Sequence, residues 1–200
     1  MTDYILVLYY SVHGHTRSMA QLLAEGIERA GMEARLRTVP KVSAVSEATA
    51  PAVPESGDPY CTAEDLKNCR GLLLGSPTRF GNMAAAMKYF WDGTAAAWVN
   101  GDLIDKPAGV FTSTSSMHGG QESTLLTMML PLIHHGMLLA DIPYSHDELN
   151  TTKSGGTPYG ASHTAGAQNN LPLSEEERLL CQHQGRRIAQ LALNLGKVHS

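Results

Sequence analysis

A short segment near the start of the chain combines hydroxyl, imidazole and glycine residues directly before a helical pattern. It reads Ser11-Val12-His13-Gly14-His15-Thr16 and follows an apolar run. Two hydroxyls, a glycine that lets backbone approach a ligand, and the free N–H groups of a helix N-terminus can bind a phosphate without a lysine. Taken alone, Ser11 and Thr16 are better explained as helix caps.

The same segment lacks the fingerprints of the common nucleotide-binding loops. It is not G-x-x-x-x-G-K-[ST], and it is not G-x-G-x-x-G. ATP, GTP and tightly bound NAD therefore lose support, and a phosphate monoester such as that of FMN remains.

Two later segments have a similar character. One reads Ser76-Pro77-Thr78-Arg79-Phe80-Gly81-Asn82-Met83, and the other reads Ser113-Thr114-Ser115-Ser116-Met117-His118-Gly119-Gly120-Gln121. The first offers a cation, an aromatic ring and backbone N–H groups, which suit the edge of a planar polar ring. Three such loops together are hard to explain as caps alone, so they favour a flavin-type ligand.

The elements around these loops alternate between strand and helix. The run 4–10 is apolar throughout, which is typical of a strand covered on both faces. Residues 16–30 have helical spacing, and 33–39 alternate as an edge strand does. Further strands are predicted at 70–75, 108–112 and 137–140, and further helices at 82–92 and 121–134.

This alternation predicts an α/β fold with a flavodoxin-like doubly wound five-stranded parallel sheet of order 2-1-3-4-5 and helices on both faces. In such sheets ligands bind beyond the carboxyl ends of the strands, so the three loops are expected to converge. The length of 200 residues suits one domain over 1–200.

Three segments fall outside the alternation. Residues 40–61 contain scattered prolines and predict a long surface loop. Residues 141–172 are rich in Gly, Ser, Thr and Asn and predict an ordered functional insert. Ser174 and Glu177 form a capping box that starts the last helix, with Gly196 predicted to end it.

Composition excludes several classes of function. The formal charge is −4, and no run of basic residues is longer than Arg186-Arg187, so neither nucleic acid nor an anionic membrane is an expected partner. Three cysteines without a C-x-x-C pair indicate neither a disulfide framework nor a zinc site, and they fit the cytoplasm. No apolar run is long enough to insert into a membrane.

Five motifs occur together in the chain. They are Tyr9-Tyr10-Ser11-Val12-His13-Gly14-His15-Thr16, Pro77-Thr78-Arg79-Phe80-Gly81-Asn82-Met83, His118-Gly119-Gly120-Gln121-Glu122, His134-His135-Gly136-Met137 and Gly155-Gly156-Thr157-Pro158-Tyr159-Gly160-Ala161. Through this combination the chain resembles, over nearly its whole length, the WrbA-type NAD(P)H:quinone oxidoreductases of the flavodoxin-like superfamily.

The resemblance implies a site for each part of FMN. Residues 11–16 would bind the phosphate, Thr78, Arg79 and Phe80 together with 113–119 would border the flavin ring and ribityl chain, and His134 would contact the flavin. Trp98 and the aromatic side of the glycine-rich insert would line the space where nicotinamide and quinone stack. The family often has Tyr where this chain has His13, so the preference for NADH or NADPH is left open.

The function expected on these grounds is ping-pong hydride transfer from NADH or NADPH through FMN to a quinone. The resemblance also implies a homotetramer. Residues 83–98 and 155–161 are expected at its interfaces, because Met and aromatic residues are enriched there. An electron-carrying flavodoxin and a regulatory partner protein are the alternatives. The histidines at 135, 146, 163, 183 and 199 are interpreted as ordinary polar residues, since no pair of them has a metal-binding context in the sequence.

Overall fold

The computed structural model describes residues 3–42, 54 and 56–198. Its strands are β1 (Tyr4–Tyr9), β2 (Glu33–Thr38), β3 (Gly71–Arg79), β4 (Asn82–Met83), β5 (Pro107–Thr114), β6 (Leu138–Leu139) and β7 (Ala161–Thr164). Its helices are α1 (His15–Arg29), α2 (Ala63–Asn68), α3 (Ala85–Asp92), α4 (Ala95–Val99), α5 (Gln121–His134), α6 (Glu148–Thr151) and α7 (Glu175–Val198).

The central sheet has the predicted topology. Its order is β2-β1-β3-β5-β6, and every neighbouring pair along it is parallel. Every residue of β1 is buried, because helices cover the sheet on both sides, whereas the edge strand β2 is only half-buried. The predicted order 2-1-3-4-5 is confirmed, with β5 and β6 as its fourth and fifth members.

The fifth row of the sheet is divided between two strands. β6 pairs with the first two residues of β5, and β7 pairs with the last four, both in parallel. The prediction of a single fifth strand over 137–140 was therefore incomplete, since β7, from the segment at 141–172, also pairs with β5 in this position. Gly160 makes this possible, because a Cβ there would lie 2.1 Å from the carbonyl oxygen of Val110.

The structure corrects the boundaries around the second candidate loop. β3 continues to Arg79 and turns back into β4, so the helix predicted from 82 begins only at Ala85. The Ser76 hydroxyl accepts a hydrogen bond from the Ala84 N–H at 2.8 Å, which fixes the turn against the strand. Most of the range 82–92 is helical as predicted, but its first two residues, Asn82 and Met83, form the second strand of a hairpin.

Three short helices were not predicted, and one of them, α6, lies within the segment at 141–172. α2 begins with a capping box in which Thr62 and Asp65 exchange hydrogen bonds, a local signal that the prediction overlooked. α4 lies in an alanine-rich stretch without caps. The predicted loop at 40–61 falls mostly on residues 43–53 and 55, which lie outside the described residues.

Helices α1 and α7 pack closely on one face of the sheet. A Cβ at Gly26 would lie 2.1 Å from the carbonyl oxygen of Gln182, and one at Gly185 would lie 2.1 Å from that of Leu23. Ser174 and Glu177 form the predicted capping box, but α7 continues through Gly196 to Val198. In the described part of the chain, no helix has the length and apolar character needed to cross a membrane.

Candidate functional site

The loops after β1, β3 and β5 meet at the carboxyl edge of the sheet around a pocket of about 310 Å³. The residues that line it are Ser11, Val12, His13, His15, Thr16, Pro77, Thr78, Arg79, Ser113, Thr114, Ser115 and Asn169. Three loops that the strand order brings together, with Asn169 from the insert, therefore build one polar cavity.

The first loop presents backbone donors to this pocket. Gly14 has φ +90° and precedes α1, and no side chain caps the helix. Ser11 Oγ instead accepts from the Gly14 N–H at 3.1 Å, which shapes the loop. The first turn of α1 contains no acidic residue, so its N–H groups and its dipole favour an external anion. The expectation that Ser11 and Thr16 are helix caps is wrong.

The second loop is the tip of the hairpin formed by β3 and β4. Thr78 Oγ1 is 2.7 Å from Thr124 Oγ1 on α5, which anchors the strand. Phe80 follows in the left-handed region at φ +52° and is fully exposed. An aromatic ring held outward by a strained backbone is typical of a contact with a ligand or another chain.

The third segment begins within the sheet, because Ser113 and Thr114 are the last residues of β5. Thr114 Oγ1 donates to the Ser116 carbonyl at 2.7 Å and accepts from Gln121 Nε2 at 3.0 Å. Gln121 Nε2 also donates to Thr164 on β7, so the split fifth row stabilises this wall of the pocket.

Ten of the predicted site residues line the pocket, and the others lie outside its lining. Those outside are Gly14, Phe80, Ser116, Met117, His118, Gly119, Trp98 and His134. Trp98 and His134 form a separate exposed pair, with ring centroids 5.6 Å apart and the indole N–H donating to the His134 carbonyl at 3.1 Å. Neither Trp98 nor His134 lines the pocket of its own chain.

Two lining residues, Pro77 and Asn169, were not among the predicted site residues, and neither was the buried histidine behind the pocket. His15 Nε2 donates to the carbonyl oxygen of Asn169 at 2.8 Å, which places the end of the insert beside the first loop. The His15 ring lies 5.0 Å from that of His163, which is fully buried. Nothing in the local sequence of Asn169 or His163 indicated this position, since the insert must first fold back on the sheet.

Glu177 organises the region behind the pocket. Its carboxylate is fully buried and accepts hydrogen bonds from Ser154 Oγ, Gly155 N, His163 Nδ1, Thr164 N and Ser174 N, at 2.7 to 3.1 Å. Burial by itself raises the pKa of a carboxyl, but the bonds from His163, Ser174 and Ser154 outweigh it and lower the pKa of Glu177 below its usual value. Sequence analysis identified Glu177 only as a capping residue.

The remaining histidines fall into three groups. His135 is buried and lies 3.0 Å from the Thr94 hydroxyl, which is a structural contact. His146 and His183 stack on each other beside Glu148, a proximity that their spacing in the chain did not indicate. His199 lies outside the described residues.

The polar cradle fits the phosphate and polar chain of FMN, because uncapped helix donors, hydroxyls and an exposed aromatic ring lie along one edge. Fold and site thus define a flavodoxin-like α/β protein whose first loop leads into an uncapped helix N-terminus. The chain belongs to the NADPH-dependent FMN reductase family, whose model matches residues 4–146. It is 41% identical to proteins named NAD(P)H dehydrogenase (quinone) from Solidesulfovibrio magneticus and Geobacter sulfurreducens, each match covering 96% of this chain and 98% of the relative.

Solved structures support the fold. A WrbA-like flavodoxin from Agrobacterium tumefaciens matches with a TM-score of 0.66 at 22% identity, covering 96% of this chain and 99% of that one. Oxidised Flavodoxin 2 from Bacillus cereus matches with a TM-score of 0.59 at 18% identity, covering 96% and 99%. The WrbA-type resemblance seen in the sequence is confirmed.

Proposed function

We propose that the chain is an FMN-dependent enzyme that reduces quinones with NADH or NADPH. The observation that carries this proposal is the pocket itself, where an uncapped helix N-terminus meets two further polar loops at the carboxyl edge of the sheet. Relatives that share 41% of their residues with almost the whole chain bear the name of this activity.

Each part of the pocket has a proposed role toward FMN. Residues 11–16 bind the phosphate through backbone N–H groups and the hydroxyls of Ser11 and Thr16. Thr78, Arg79 and Phe80 border the ring, and residues 113–119 border the ring and ribityl chain. His134 contacts the flavin, and His13 and Trp98 contact the substrates.

Bound FMN would supply two-electron transfer from NAD(P)H to a quinone, which leaves as the hydroquinone. The chain's own contribution is position and electrostatics. The first loop neutralises the phosphate charge, and the hairpin tip fixes the plane against which a ring can lie. Backbone N–H groups beside that plane stabilise negative charge where it develops.

We propose a homotetramer whose subunits share their sites. Large apolar side chains are exposed on α3, α4 and α5 and in the turn after α4. They include Tyr89, Trp98, Val99, Ile104, Leu126, Leu130 and Ile133. Exposed apolar groups in such number mark a surface for another protein chain. Trp98 and His134 of one subunit would then reach the pocket of a neighbour. Within 155–161, Tyr159 is exposed but Gly155, Thr157, Gly160 and Ala161 are buried in their own chain, so this segment offers little to an interface.

We also propose the cytoplasm as the compartment and one folding unit for the chain. The three cysteines are free in the structure, which suits a reducing environment.

Steady-state oxidation of NADH and NADPH by the FMN-loaded protein with benzoquinone tests the function. We expect quinone-dependent consumption of at least one nucleotide, and rapid anaerobic bleaching of the flavin absorbance on mixing with it. A chain that retains FMN but consumes neither nucleotide would instead be an electron carrier. Light scattering tests the assembly, because a monomer with full activity would overturn the shared site.

A further inference from the structure

A second cluster of ligating side chains lies away from the pocket, where the insert packs on the last helix. His146 lies in the turn before α6, Glu148 is the first residue of α6, and His183 lies on α7. One ligand atom from each residue lies within 4.8 Å of the other two. All three side chains are half-buried, so they are positioned by packing but reachable from solvent.

The geometry of the cluster suits a small divalent cation. His183 Nε2 is 3.5 Å from Glu148 Oε1, close to the separation of about 3.4 Å between ligand atoms around tetrahedral zinc. The imidazoles of His146 and His183 stack with centroids 4.0 Å apart and planes at 19°. A metal lies in the plane of each imidazole that binds it, so one of the two rings must turn out of this stack, a rotation that the broad χ2 torsion of histidine allows.

We propose that His146, Glu148 and His183 bind a divalent transition-metal ion of the zinc class, with solvent as the fourth ligand. Two imidazoles and one carboxylate form a ligand set that suits zinc better than magnesium or calcium, which prefer oxygen. The bound ion clamps the insert to α7. This inference does not depend on the proposed reductase activity.

Two nearby positive charges set the expected affinity. Arg187 and Arg186 lie close enough to His146 to act on it electrostatically, and both oppose a dication. The single carboxylate offsets this repulsion only in part, so a gain in affinity is expected when Arg186 is neutralised.

The test is calorimetric titration of Zn²⁺ into the FMN-loaded protein at pH 7.5, with FMN present so that the pocket histidines are covered. We expect one Zn²⁺ per chain and a higher melting temperature with Zn²⁺. His146→Gln, Glu148→Gln and His183→Gln should each weaken binding by at least about 100-fold, the upper end of what loss of an outer-shell partner costs. Arg186→Gln should tighten it.

Glu175→Gln is the matched control, since this carboxylate lies on α7 and is 76% exposed. It should leave Zn²⁺ affinity unchanged, and retention of FMN reports that each variant folds. Should one ligand variant fail to fold, the other two decide. The proposal is overturned if the natural chain binds no Zn²⁺, or if folded ligand variants bind it as well as the natural chain does.

Discussion

Two regions of the molecule direct backbone N–H groups at a negative charge, and they differ in where that charge comes from. Behind the pocket, the buried carboxylate of Glu177 accepts from five donors of its own chain. At the pocket, the N-terminus of α1 has no side-chain cap. The chain thus supplies its own anion where the insert must be ordered and leaves the donors of α1 to a ligand.

Asp141 gives a third case, a carboxylate with few donors. Its Oδ1 is buried, and within the described ranges it has no hydrogen-bond partner. Burial raises the pKa of Asp141 to about 7, the opposite of the direction for Glu177. The comparison indicates that donors, rather than depth, decide whether a carboxylate of this chain stays charged.

The largest expected effect belongs to Glu177→Gln. The amide presents N–H groups where donors converge, and the change leaves His163 without its charged partner, so the free energy of unfolding should fall by about 3–5 kcal/mol. Urea unfolding at pH 7 measures this. Glu175→Gln, in the same helical turn but exposed, should change it by less than about 0.5 kcal/mol. Similar losses in both variants would mean that the buried carboxylate of Glu177 stabilises the fold no more than an exposed carboxylate does.

Asp141→Asn should raise the free energy of unfolding, which is the opposite of the effect expected for Glu177→Gln. A raised folded pKa means that the folded state favours the protonated carboxyl, so ionisation destabilises the fold as pH rises from the unfolded pKa of about 3.9 towards 7. Unfolding at pH 8 should therefore show a gain of about 4 kcal/mol, which shrinks towards zero near pH 4. Asp92→Asn, at a carboxylate whose side chain is 61% exposed, is the control. A gain independent of pH would contradict the explanation.

Thr16→Val tests the open anion site. Loss of a hydroxyl bond to a charged phosphate should cost about 2 kcal/mol, which weakens FMN binding about 30-fold. Fluorescence titration of the FMN-free chain measures the dissociation constant. Ser18→Ala is the matched control, because its hydroxyl donates to the Gly14 carbonyl within the helix. Equal FMN affinity in both variants would mean that Thr16 serves only the fold.

The smallest expected effect is the pH dependence of the stability difference between the natural chain and Glu177→Gln. Because the folded pKa of Glu177 is lowered, its contribution is complete above the unfolded pKa of about 4.3 and is lost as pH falls through the folded value. The difference in unfolding free energy between the natural chain and Glu177→Gln should therefore change by less than about 0.5 kcal/mol between pH 7 and 5. It should shrink below about pH 4. A difference that already shrinks near pH 6 would mean that the donors do not hold the carboxylate charged.

Local patterns in the sequence were enough for the main elements and for most of the pocket. The unbroken apolar run of β1 and the capping box of α7 depend on neighbouring residues only, and so does the spacing of α5. Topology then brought three loops to one edge, because parallel strands share a carboxyl end. This is why ten predicted site residues line the cavity.

Only the tertiary structure decided how the insert is used. β7 completes the fifth row because Gly160 allows the backbone to approach Val110, a contact between distant segments. The five donors around Glu177 and the stacking of His146 on His183 arise only after that return. Such contacts leave no local periodicity, since their energy comes from burial and hydrogen bonds between segments that meet only in the folded chain.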